Sequence, residues 1–78
     1  MINILIEKET NIIILWAKLI EYNKFENEYK FRIIDFEGNF YYIGNTINNF
    51  IIESVYNLPE DYEDYKYKYI NGEFILNE

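Results

Sequence analysis

Residues 65–76 read Tyr-Lys-Tyr-Lys-Tyr-Ile-Asn-Gly-Glu-Phe-Ile-Leu. The Asn71-Gly72 step constrains the chain more than anything else in it. A type I′ turn needs φ > 0 at both central residues, and Asn-Gly meets that need at least cost. Pairing outward from the step sets Tyr69 opposite Phe74 and Tyr67 opposite Leu76 on one face. Lys66, Lys68, Ile70, Glu73 and Ile75 fall on the other. An aromatic-lined, half-buried β-ribbon is therefore expected at this end.

The rest of the sequence repeats that pattern. Ile2, Ile4 and Ile6 alternate with Asn3, Leu5 and Glu7, which is strand period, and Glu9-Thr10-Asn11 reads as a turn. Ile12 to Tyr22 is apolar on both faces. One face would carry Ile12, Ile14, Trp16, Ile20 and Tyr22, the other Ile13, Leu15, Ala17 and Leu19. A strand of this kind needs cover on two sides. A short buried helix competes with it, because periodicity does not separate the two in short apolar runs. Asn23 to Glu28 reads as a polar loop around Phe25. Tyr29 to Phe36 alternates again, Glu37-Gly38-Asn39 turns the chain, and Phe40 to Ile43 returns as an aromatic strand.

Gly44 to Asn49 breaks the pattern, and two readings stay open beyond it. Thr46 could N-cap a short helix with Ile47, Phe50, Ile51 and Val55 near one face. Alternatively Phe50 to Tyr56 is a strand, which Ile51, Ile52, Val55 and Tyr56 favour. Leu58-Pro59 ends whatever precedes it. The expected fold is a single all-β domain over residues 1–78. It would hold roughly five or six short antiparallel strands in consecutive hairpins, as a small sheet or open barrel, with at most one short covering helix.

Composition removes several function classes. There is no cysteine and no histidine. Disulfide staples, Cys-based zinc sites and Ser-His-Asp or Cys-His triads are thereby excluded. The isolated Gly38, Gly44 and Gly72 form no phosphate-cradling loop. Asp35, Glu37, Glu53 and Glu73 are the carboxylates that could do acid–base work, but each falls at a turn or on an exposed strand face. An enzyme is not expected, and neither a cofactor nor a metal is. The net charge is −7 with Lys and Arg scattered, so direct nucleic-acid binding is not expected. No signal peptide or membrane-spanning run is legible, which points to a cytoplasmic protein or one carried on a particle assembled there.

Two populations remain as candidate contact residues. The chain holds nine Tyr, six Phe and one Trp. Large amphipathic rings of low entropy cost are enriched at interfaces. Trp16, Tyr41, Tyr42, Tyr65, Tyr67, Tyr69 and Phe74 are the expected protein-contact residues. Glu60, Asp61, Glu63 and Asp64 form the one dense carboxylate cluster, without EF-hand spacing. They are either a solvated loop or an acidic recognition strip.

The segment Leu58-Pro59-Glu60-Asp61-Tyr62, followed by Tyr67-Lys68-Tyr69-Ile70-Asn71-Gly72-Glu73-Phe74, is similar to a known kind of ending. It resembles the carboxy-terminal part of short proteins encoded beside tail-fibre or baseplate genes in phages of Gram-positive bacteria. The resemblance implies a phage or prophage protein-binding module, a tail or baseplate accessory or fibre-assembly component. The doubly apolar strand adds the expectation of a homo-oligomer or a larger docking partner. The acidic charge leaves a second class open: a small anti-CRISPR-like inhibitor of a host defence nuclease, offering carboxylates in place of phosphates.

Overall fold

The computed structural model describes residues 1–25, 28–44 and 49–78. It is almost entirely β: three small antiparallel sheets, with no closed barrel and no α-helix among the described residues. The strands are β1 (Ile2–Glu7), β2 (Ile13–Ala17), β3 (Leu19–Phe25), β4 (Glu28–Ile34), β5 (Phe40–Gly44), β6 (Phe50–Val55), β7 (Tyr67–Ile70) and β8 (Glu73–Leu76). The orders are β2-β1-β6 in a central sheet, β3-β4-β5 in an outer sheet and β7-β8 in the terminal hairpin. The sheets are layered, with the central one in the middle.

The reason is the Ile4-Leu5-Ile6 run. All three side chains are buried although they alternate between faces. Leu5 points toward the outer sheet, in a cluster with Leu15, Ala17, Ile20, Phe31 and Ile33. Ile4 and Ile6 point the other way, with Ile13 and Val55, and are covered by Leu58, Tyr62, Tyr67, Tyr69 and Phe74. The apolar strand buried on both faces is thus β1.

The Ile12 to Tyr22 run departs from expectation in two places. Between Leu5 and Ile6 the β1–β2 register shifts, so that Leu5 pairs Leu15 but Ile6 pairs Ile13. Ile14 is the extra residue of a bulge, and a bulge reverses the facing of what lies beyond it. Ile13 therefore joins the hairpin side while Leu15 and Ala17 face the outer sheet. The chain then bends at Lys18. The Lys18 N–H donates to the Ile34 carbonyl (2.9 Å), and its own carbonyl accepts from Asn3 Nδ2 (2.9 Å). One expected strand is thus two strands in two sheets. Leu19 is turned outward and Ile20 inward. The chain's own layers cover Ile13, Leu15, Ala17 and Ile20 of this run, while Trp16 and Leu19 stay exposed.

Smaller differences follow, and one of the two open readings is borne out. Asn23 to Phe25 and Glu28 belong to strands, because β3 and β4 pair in register from Leu19↔Ile34 to Phe25↔Glu28. Residues 26–27 of the expected polar loop lie outside the described residues. Phe50 to Val55 is a strand, and its partner is β1. The hairpins are therefore not all consecutive, and the described residues hold eight strands where five or six are expected. Thr46, the candidate helix cap, lies outside the described residues.

The turns follow their residues. Asn71 (φ 51°) and Gly72 (φ 82°) occupy the left-handed region, and Tyr69↔Phe74 and Tyr67↔Leu76 pair as the Asn-Gly step requires. In the β4–β5 turn, Asp35 Oδ1 accepts from the Glu37 and Asn39 N–H groups (both 2.9 Å). Gly38 there takes φ 91°.

Candidate interaction surface

Pairing across the outer sheet decides which side chains share a face. Leu19, Ile34 and Phe40 form one cross-strand row, and Glu21, Arg32 and Tyr42 form the next. Phe31 and Ile33 alternate with these residues and are buried toward the central sheet. The first two rows, with Lys30, therefore form the outward face. Phe40 is 57% exposed, Tyr42 41% and Leu19 40%.

This face is organised around Arg32. Its guanidinium carbon lies 5.1 Å from the centre of the Phe40 ring, a cation–π distance. Its Nη1 is 4.0 Å from Glu21 Oε1, at the limit of an ion pair. Both side chains are over a third exposed, so that pair adds little to stability. The Arg32 Nε is buried with no hydrogen-bond partner. Phe40 and Tyr42 meet edge to face at 6.1 Å. The result is an aromatic-and-cation surface on an acidic protein. Such a surface can bury rings and bind carboxylates.

The other expected contact residues separate into two groups. Trp16 is 43% exposed and lies against Phe36 with ring centres 5.5 Å apart, near the Lys18 bend. Tyr41 and Tyr65 are exposed as well. Partial burial, then the charges of Asp64 and Asp35, raise the Tyr41 pKa, so its hydroxyl stays protonated at neutral pH. Tyr67, Tyr69 and Phe74 instead turn inward and cover the central sheet. Tyr69–Phe74 and Tyr67–Phe74 are edge-to-face pairs at 5.1 and 6.5 Å. The aromatic face of the terminal ribbon is spent on the protein's own core.

The acidic segment also has an internal task. Asp61 Oδ1 accepts the Tyr67 hydroxyl at 2.6 Å, and Asp61 Oδ2 lies 3.1 Å from Lys66 Nζ. Asp64 Oδ1 accepts the Tyr62 hydroxyl at 3.0 Å. Asp61 thus latches the loop to the hairpin and Asp64 closes a contact within the loop, while all four carboxylate residues remain exposed. Among the described residues no group of carboxylates is arranged to hold a metal ion, and no helix is long and apolar enough to cross a membrane.

The latch is titratable. The Tyr67 hydrogen bond, then the one from Lys66, lowers the Asp61 pKa. A depressed carboxylate contributes stability that is present above its unfolded value, about 3.9, and is lost as pH falls through the lower folded value. Opening of the hairpin, read as lost protection of the Tyr69 amide relative to its intrinsic exchange rate, is expected to rise as pH falls through that acid window. Asp61→Asn should flatten the dependence. An unchanged acid profile in the variant would remove Asp61 from the latch.

No known protein family, curated protein or solved structure matches this chain. The functional reading therefore rests on the geometry above.

The residues that sequence reasoning missed are Phe40, Arg32, Lys30, Leu19 and Ile34. The signal was present: Lys30, Arg32 and Ile34 share one phase of the β4 alternation. Joining them to Phe40 and Tyr42 required the five-residue span Asp35 to Asn39 as the turn, and that span sets the register.

Proposed function

We propose that this chain is a non-enzymatic protein-binding module that works by contact through the outward face of β3–β4–β5. The observation carrying the reading is the exposed Phe40 ring, set against the Arg32 guanidinium and edge to face with exposed Tyr42. Exposed aromatic rings and arginine are the side chains that most often dominate protein interfaces. The resemblance from Leu58 onward supports a phage or prophage setting, as a tail or baseplate accessory or fibre-assembly component. A homo-oligomer that buries this face belongs to the same reading. The acidic-inhibitor reading is less favoured, because Asp61 and Asp64 already accept tyrosine hydroxyls.

The test is capture from phage-infected lysate by immobilised wild type and by the Phe40→Ala/Tyr42→Ala double variant, at low and high salt. Wild type should retain tail or fibre proteins at high salt. The variant should lose about tenfold or more of that capture, as expected for central interface aromatics. Its unfolding free energy should stay within about 0.5 kcal/mol per substitution, since both rings are solvent-facing. Capture of a basic nuclease that disappears at high salt would overturn the reading, as would a double variant that binds like wild type.

A further inference from the structure

β6 is an edge of the central sheet, next to β1 in the order β2-β1-β6, and among the described residues no strand pairs with its other side. The Lys8 N–H donates to the Asn49 carbonyl (2.9 Å), which fixes which pairs of the β1–β6 ladder are hydrogen-bonded. In an antiparallel ladder such pairs alternate. The backbone groups of Ile51, Glu53 and Val55 therefore point to β1, and those of Phe50, Ile52 and Ser54 point away. Among the described residues no backbone hydrogen bond is made on that outer side. An edge of this kind is a template for an added strand.

Beside this edge lies an open cleft of about 440 Å³, lined by Ile6, Ile51 and Tyr69 with Asn11, Glu53 and Asn71. Glu53 pairs with Ile4 and so faces the hairpin side, where the Asn71-Gly72 turn borders the cleft. Among the described residues the Glu53 carboxylate makes no ion pair or hydrogen bond, and the Asn11 and Asn71 side-chain amides make no hydrogen bond. The cleft thus joins one free carboxylate and two amides to an apolar, partly aromatic wall, in a chain of net charge −7.

We infer that β6 receives an extended segment of another protein by strand addition, with an arginine of that segment placed in the cleft against Glu53. Main-chain bonds would form at Phe50, Ile52 and Ser54. Alternate side chains of the added strand fall on the cleft side. The one opposite Glu53 is basic, and its neighbour two residues away, opposite Ile51, is apolar. A guanidinium suits the site because its planar fork of five donors can serve a carboxylate and amide oxygens together. The free Glu53 carboxylate and the net charge of −7 disfavour an acidic segment at this edge. This site is separate from the outward face of β3–β4–β5.

The test is amide hydrogen exchange and chemical-shift mapping of the full chain with a capped heptapeptide of alternating Thr and Val carrying a central Arg. The Phe50, Ile52 and Ser54 amides should exchange rapidly in the free protein and become protected on titration. Replacing the central Arg by Glu should weaken binding about fivefold or more, the scale of a cross-strand charge pair. Glu53→Lys should reverse that order of preference, and Phe40→Ala/Tyr42→Ala should bind the Arg peptide like wild type. The inference is overturned if the three amides stay unprotected at saturating peptide, if the shifts fall on Phe40–Gly44, or if the two peptides bind alike to wild type. It is also overturned if the free protein sediments as a dimer with these amides already protected, since a second copy then occupies the edge.

Discussion

Phe31→Ala is expected to destabilise the protein by about 3–5 kcal/mol, the usual cost of emptying a buried phenylalanine site. Phe31 is fully buried on β4, between the outer and central sheets. Its ring meets Phe50 edge to face at 5.7 Å and Tyr22 at 5.0 Å. Those contacts join β4 to β6 and β3, so one truncation weakens packing within the outer sheet and between the two sheets. At about 0.05–0.15 kcal/mol per residue, a chain of this length has roughly 4–12 kcal/mol in total. The variant should therefore be substantially unfolded at mild urea concentrations where wild type is intact. Urea titration followed by circular dichroism measures it. A loss below about 1 kcal/mol would mean that the two sheets do not pack through Phe31.

Ile4→Ala is the second large effect, at about 2–5 kcal/mol. Ile4 is fully buried on the opposite side of the central sheet, beneath Tyr67, Tyr69 and Phe74. Its loss removes apolar surface on which the terminal hairpin rests. The hairpin is otherwise tied to the body by Tyr65 N–H to the Ile13 carbonyl (2.8 Å), Tyr69 N–H to the Asn11 carbonyl (2.9 Å) and the Asp61 latch. Besides global destabilisation, the Tyr69 amide should exchange faster in this variant than in Phe31→Ala at matched overall stability. Ile75→Ala serves as the control. Ile75 is on the solvent-facing side of the hairpin, opposite Lys68, and its truncation should cost about 0.5 kcal/mol or less. Equal effects of Ile4→Ala and Ile75→Ala would contradict the hairpin's placement.

How much was legible in the sequence follows from which elements are governed locally. The Asn71-Gly72 turn and its register could be read residue by residue, because turn chemistry and strand alternation act over a few positions. The same holds for the β1 alternation and for the turn after β4. The Ile12 to Tyr22 run could not be read this way. The bulge at Ile14 and the bend at Lys18 answer to partners distant in sequence, Leu5/Ile6 and Ile34. Period-two reasoning placed Ile13 with Leu15 and Trp16 with Ile20. One unpaired residue and one bend undo both assignments.

The candidate surface shows the same division. That aromatic residues would be prominent was plain from composition. Which of them face solvent depended on layer order, which local pattern does not carry. Tyr67, Tyr69 and Phe74 look like contact residues in an isolated hairpin, and they become core once the hairpin lies on Ile4 and Ile6. Phe40 and Arg32 emerge as surface partners only after Phe31 and Ile33 are seen to take the inner side. The acidic loop follows the same logic, since Asp61 and Asp64 find their hydrogen-bond donors in neighbouring tyrosines.

Solvent paramagnetic relaxation enhancement, read on the methyl and aromatic protons of the isolated protein, tests the layered arrangement most directly. With a soluble neutral paramagnet added, the account predicts little attenuation for Ile4, Leu5, Ile6, Ile13, Phe31 and Ile33. Phe40, Tyr42 and Trp16 should be strongly attenuated. Attenuation of Ile4 and Ile6 as strong as that of Phe40 would show that the hairpin does not cover the central sheet. Shielding of Phe40 and Tyr42 in the isolated monomer would show that the proposed contact face is not open.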